Sequence, residues 1–120
     1  MDGANYEWWT HVNHDAVYQD LVTKIDKFDL QKQIVLIKES SANAPRIPNI
    51  GLLHIDGNHS EIESYHDVTT WGRLVKSGGF IEFDDINWNG TGKAVAWLDQ
   101  NCVKVGEYRG DNIWGIWQKP

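Results

Sequence analysis

An α/β fold with a mostly parallel sheet is what this sequence predicts, and three features predict it. Short apolar runs, Ile34–Ile37, Ile50–Ile55 and Phe80–Phe83, have the length and β-branching of buried strands. They alternate with segments whose apolar residues recur at helical spacing. The chain then closes on two strand-like segments, Val103–Tyr108 and Ile113–Trp117, around the turn Arg109-Gly110-Asp111-Asn112, which reads as an antiparallel hairpin.

Taken in order, the elements follow from local chemistry. From Asp15 to Phe28, Val17, Leu21, Ile25 and Phe28 mark one helical face, with Asn13 or Asp15 available as the cap. Pro45 and Pro48 leave room for no more than a turn of helix between Ser40 and Asn49. The second strand, Ile50–Ile55, runs into Asp56-Gly57-Asn58-His59. Ser60 and Glu63 form a capping box for a helix striped by Ile62, Tyr65, Val68 and Leu74 or Val75. Gly78-Gly79 is expected to end that helix. The third strand, Phe80–Phe83, is closed by Asp84-Asp85, and Thr91 is placed to cap a short helix across Val95–Leu98.

Composition narrows the function classes. At 120 residues and 13.8 kDa the chain fits a single domain, 1–120. A net charge of −6 and a pI near 5.2 argue against a phosphate-backbone binder, so no nucleic-acid partner is expected. No apolar run approaches a membrane span, and MDGANYEWWT lacks the parts of a signal peptide. Cys102 is the single cysteine, which excludes an internal disulfide and suits a reducing cytoplasm. Seven tryptophans stand out; their scatter favours core or interface packing over a sugar-stacking surface.

Ligands of open α/β sheets bind at the carboxyl ends of strands, and two strands here end in acids. If they are neighbours, Asp56, Asp84 and Asp85 converge at one sheet edge, where their mutual repulsion calls for a proton or a cation. An all-oxygen set suits Mg²⁺, Mn²⁺ or Ca²⁺ better than zinc; the alternative is that these acids only cap loops and helix starts. His59, three residues after Asp56, can act as a general base or a ligand, or make a simple polar contact. His11 and His14 beside Asp15 lack a further ligand in sequence. Asn89-Gly90-Thr91-Gly92-Lys93 fails as a phosphate loop, because the first glycine is missing and Ala94 follows Lys93.

The segment Leu52-Leu53-His54-Ile55-Asp56-Gly57-Asn58-His59-Ser60, then Asp67, Trp71 and Leu74–Asp85 ending in Gly-Gly-Phe-Ile-Glu-Phe-Asp-Asp, resembles the C-terminal half of a class I S-adenosylmethionine-dependent methyltransferase. It is most similar to the branch that includes sugar and antibiotic O-methyltransferases and relatives of cephalosporin hydroxylase. The resemblance implies a truncated Rossmann-like methyltransferase sheet, with Ile34–Ile37, Ile50–Ile55 and Phe80–Phe83 as its third, fourth and fifth strands. It also implies a Mg²⁺ or similar ion on Asp56, Asp84 and Asp85, with Asp56 and Gly57 lining the S-adenosylmethionine site. That ion would bind a substrate hydroxyl, and His59 is in place to receive the proton.

The glycine-rich turn that holds the cofactor in this family is absent before Ile34, as are the first two strands. Bare sheet edges invite pairing, so a homo-oligomer covering the open edge is expected. Two functions follow as expectations. One is a metal-dependent O-methyltransferase acting on a small-molecule acceptor. The alternative is a non-catalytic methyltransferase-derived binding or assembly domain that has lost the cofactor. A carbohydrate-binding module is disfavoured by the parallel α/β pattern.

Overall fold

A computed structural model describes residues 9–120. The chain divides into two compact units, Asp2–Ser40 and Ser41–Pro120. Tyr6 and Trp8 lie outside the described residues.

The first unit is built on helix α1, His14–Lys27. Asn13 caps it, its Oδ1 accepting from the Ala16 N–H at 3.0 Å. The helix closes on Phe28 and Asp29, where Asp29 takes a left-handed φ of 53°. The Leu30 N–H then reaches Ile25 O and the Asp29 N–H reaches Asp26 O, a Schellman closure with aspartate in the usual glycine place. Of the expected apolar stripe only Ile25 is buried; Val17, Leu21 and Phe28 are exposed.

Ile34–Ile37, expected as a buried strand, carries no ladder, and its side chains are exposed, Val35 by 83%. The physical reason is that a strand is made by its neighbour. Among the described residues no segment pairs with it, and β-branching alone does not produce a strand.

The second unit holds a four-stranded sheet with helices. Its elements are β1 (Ile50–Ile55), α2 (Glu61–Gly72), β2 (Val75–Phe83), a 3₁₀ turn (Asn89–Thr91), α3 (Gly92–Asn101), β3 (Val103–Arg109) and β4 (Ile113–Gln118). The strand order is β1-β2-β4-β3. β1 and β2 run parallel, while β4 is antiparallel to both β2 and β3. The sheet is therefore mixed, with one parallel pair, because the expected third parallel strand does not form. The closing hairpin stands where the sequence places it.

Two boundaries differ from expectation. Helix α2 ends at Gly72, not at Gly78-Gly79, and Val75 already belongs to β2. Gly72 is the tight point: a Cβ there would lie 3.0 Å from Trp97 Cζ3. Gly78 and Gly79 instead serve an irregularity inside β2, where pairing passes from Ile50↔Val75 to Leu52↔Phe80. Gly78 has φ of +79°, and a Cβ on Gly79 would press on Val75 and on the Ile50 and Gly51 carbonyls.

The core lies between one sheet face and helices α2 and α3. Ile55, Val75, Ile81, Phe83 and Trp117 from the strands meet Val68, Ala94, Leu98 and the free Cys102. Trp117 is fully buried and its Nε1 donates to Asp99 Oδ1 at 2.8 Å, so the ring is packed without an orphaned donor. No helix among the described residues is long and apolar enough to cross a membrane.

Candidate functional site

Because β1 and β2 are parallel neighbours, with Ile55 opposite Phe83, their carboxyl ends bring the two acidic segments side by side. The Asp84 N–H donates to Ile55 O at 3.1 Å and continues the ladder one residue further. Asp85 then turns through a left-handed φ of 51°, which redirects its side chain. Asp tolerates that conformation better than most residues, though at some cost in strain.

The outcome is a cluster of Asp56, His59 and Asp85, with one ligand-type atom from each lying within 4.8 Å of the others. His59 Nε2 sits 2.8 Å from Asp85 Oδ2, and both side chains are largely buried. The buried Nε2 thus faces the Asp85 carboxylate as an ion pair. Burial lifts the Asp85 carboxyl above its usual range. The charge of Asp84 adds to that rise and Asp56 adds a smaller part, while His59 and a hydrogen bond from Trp88 oppose it.

Asp84, expected in the same ligand set, stands apart from this cluster. Its Oδ1 accepts from the Asp85 N–H at 2.9 Å, and it faces a separate cleft beside the β3–β4 turn. Successive side chains at a strand end face opposite sides, and these two adjacent acids lie apart accordingly. Gly57 and Asp56 line a cavity of about 260 Å³ with Ser41, Leu53, Asp67 and Trp71. Its wall is held by hydrogen bonds: Ser41 Oγ donates to the buried Asp67 at 2.5 Å, and Trp71 Nε1 donates to Ser41 O at 3.1 Å. Arg46 clamps the same loop by donating to the Ser41, Ala42 and Ala44 carbonyls.

Sequence reasoning missed the residues that support His59. Trp88 stacks on its ring at 4.6 Å between centroids. Gly90 passes so near the His59 carbonyl that any Cβ would overlap it. Ser64, buried on α2, donates to Gly90 O at 2.9 Å. Thr91, expected to cap α3, makes no cap bond; its buried hydroxyl bonds the Asp85 and Trp88 carbonyls instead. Only the density of Gly, Trp and Thr after Asp85 hinted at this turn. Lys93 pairs with Glu61 at 2.8 Å. His14 is engaged with Trp9, through its carbonyl at 3.1 Å and by ring stacking.

A family model described as a methyltransferase domain matches residues 3–86, which include β1, α2, β2 and the Asp56, His59 and Asp85 cluster. No curated protein matches the sequence. Among solved structures, the fold is similar to the N-methyltransferase NodS from Bradyrhizobium japonicum WM9, at 10% identity and a TM-score of 0.53. That similarity covers 70% of this chain and 58% of NodS. It is also similar to a Clostridium thermocellum protein assigned as an rRNA-methylase, at 14% identity, a TM-score of 0.58, and coverage of 82% and 67%. At such identities the likeness concerns the fold alone, and the chain spans little more than half the length of NodS.

Proposed function

The chain belongs to the methyltransferase-domain family, and from that premise we propose that it transfers a methyl group from S-adenosylmethionine to the hydroxyl of a small-molecule acceptor, assisted by a divalent cation. The observation that carries the cation is the convergence of Asp56, His59 and Asp85, one ligand-type atom from each within 4.8 Å of the others, with His59 Nε2 2.8 Å from Asp85 Oδ2. Two carboxylates and an imidazole suit Mn²⁺ as well as Mg²⁺, a softer set than three oxygens alone.

Each residue has a part in this reading. Asp56 and Asp85 hold the cation, which when bound lowers the pKa of an acceptor hydroxyl. His59 takes up the hydroxyl proton at Nε2, and the Asp85 carboxylate beside it stabilises the imidazolium. Trp88 keeps the ring in place by stacking and shields it from water. Asp84 holds the Asp85 backbone through its N–H. Asp56 and Gly57, with the cavity at the end of β1, line the S-adenosylmethionine site, where the cofactor supplies its electrophilic methyl group. A second reading makes His59 the third ligand, favoured by a ring nitrogen that lies within 4.8 Å of an oxygen of both carboxylates. The two readings differ in one variant: His59→Gln keeps cation binding if His59 is the base and loses it if His59 is a ligand.

The proposal extends to partner and compartment. Among the described residues β1 pairs only with β2, and its sequence IGLLHI holds no Lys, Arg or Pro to blunt the outer edge. A second copy of the chain covers that edge, and the protein works in the cytoplasm, where its one cysteine stays reduced.

Calorimetric titration with S-adenosylmethionine in Mn²⁺ and again in EDTA, paired with thermal unfolding, tests the reading. A cation at about a hundredfold its Kd adds about 2.7 kcal/mol to stability, a shift of several degrees in Tm. Asp56→Ala is expected to abolish that shift. Equal melting in Mn²⁺, Mg²⁺ and EDTA removes the cation from the proposal. Absence of cofactor binding in every buffer leaves the assembly-domain alternative.

A further inference from the structure

We infer that the cleft between the end of β2 and the β3–β4 turn binds a small organic cation carrying a primary or quaternary ammonium group. Glu82, Asp84, Tyr108, Asp111, Asn112 and Trp114 line it, with no lysine or arginine among them. The partners given to its acids are modest. Glu82 meets the half-exposed His54 imidazole at 3.4 Å, and Asp84 accepts the Asp85 N–H at 2.9 Å.

The aromatic side of the cleft is an independent observation. Tyr108 and Trp114 are cross-strand partners whose rings stack at 5.4 Å between centroids with 21° between planes. The Tyr108 ring lies over Gly110, where an added Cβ would meet its hydroxyl, Cε1 and Cζ. The ring thus lies over the turn and shares the cleft lining with the acids.

Hairpin stability accounts for the ring pair but not for its company. Cross-strand aromatics stabilise a hairpin, whereas neighbouring like charges destabilise it. An anion is repelled by the acids, and a neutral ligand gains nothing from them. An ammonium group gains from both, through the carboxylates and through the negative ring faces. The inference stands independently of methyl transfer, since its test contains neither methyl donor nor divalent cation.

The test titrates the ¹⁵N-labelled full chain with choline and with its uncharged isostere 3,3-dimethylbutan-1-ol, following the tryptophan indole N–H resonances. Trp114→Phe identifies the Trp114 signal, and the Trp88 signal reports on the Asp56 cluster. Choline is expected to move the Trp114 resonance saturably, with the isostere about tenfold weaker, the discrimination a cation–π contact with flanking charge supplies. Asp111→Asn, on the exposed turn, should weaken choline binding by about threefold or more. Gly110→Ala, which displaces Tyr108 and leaves every acid in place, should weaken it as well. Equal responses to choline and the isostere, no saturable response to choline, or a Trp88 shift that tracks Trp114 would each overturn the inference.

Discussion

At the scale of single residues, Asp85 shows how a site opposes the fold that carries it. Its backbone is left-handed and its carboxyl is held above the usual range by burial and by Asp84. A carboxyl raised in the folded state favours folding when protonated. That contribution is complete below the unfolded value and is lost as pH rises through the folded one. Near neutrality the ionised group therefore destabilises the cation-free protein. Asparagine keeps the shape, removes the charge and tolerates the left-handed region well. Asp85→Asn is expected to raise stability by about 1 kcal/mol in EDTA, seen as a Tm higher by a few degrees, and to lose the Mn²⁺ response. A lower Tm in EDTA would mean that the Asp85 charge is compensated within the fold. For the wild type, cation affinity should fall as pH drops through the raised Asp85 value, because only the carboxylate binds metal.

At the scale of elements, the 3₁₀ turn Asn89–Thr91 matters more than its length suggests. It fastens the His59 loop through Gly90, α2 through Ser64, and the Asp85 turn through the Thr91 hydroxyl. Two glycines two residues apart give a clean comparison. Gly90→Ala drives a Cβ into the His59 carbonyl and is expected to cost about 2 kcal/mol or more, with loss of the cation-dependent Tm shift. Gly92 has nothing within 4 Å of its would-be Cβ and sits at the start of α3 with helical φ. Gly92→Ala should be neutral or stabilising by about 0.5 kcal/mol, with the shift intact. Denaturant unfolding of the two variants, with and without Mn²⁺, decides whether the turn positions His59.

At the scale of the molecule, the sheet has two different outer strands. β3 is irregular between Lys104 and Gly106 and carries Lys104, Glu107 and Arg109 in ion pairs, devices that discourage pairing. β1 carries no Lys, Arg or Pro and exposes Leu52. Self-association through β1 is expected, read as a concentration-dependent mass by light scattering, and Leu52→Lys should shift it toward monomer. A wild type that stays monomeric over the whole concentration range, or association unmoved by Leu52→Lys, would argue against pairing at this edge.

The local sequence determined those elements whose signals are complete within a few residues. Asn13 and Ser60 cap their helices as spacing predicts, and the Val103–Tyr108 and Ile113–Trp117 hairpin closes on its own turn. Strand ends marked Asp56 and the Asp84-Asp85 pair, because acids after apolar runs are visible without coordinates. Tertiary structure decided the rest. Ile34–Ile37 has the composition of a strand but no neighbour to bond with, and a ladder is a property of two segments. Gly78-Gly79 reads as a helix stop, yet the helix ends at Gly72 and the two glycines lie inside β2, at the irregularity of its pairing with β1. Asp84 and Asp85 are adjacent acids, yet one lies with His59 and the other lines the Tyr108 and Trp114 cleft, and only the sheet shows which side each faces. Spacing along a chain places residues near one another, but only backbone direction, set by packing from distant segments, decides which side chains meet.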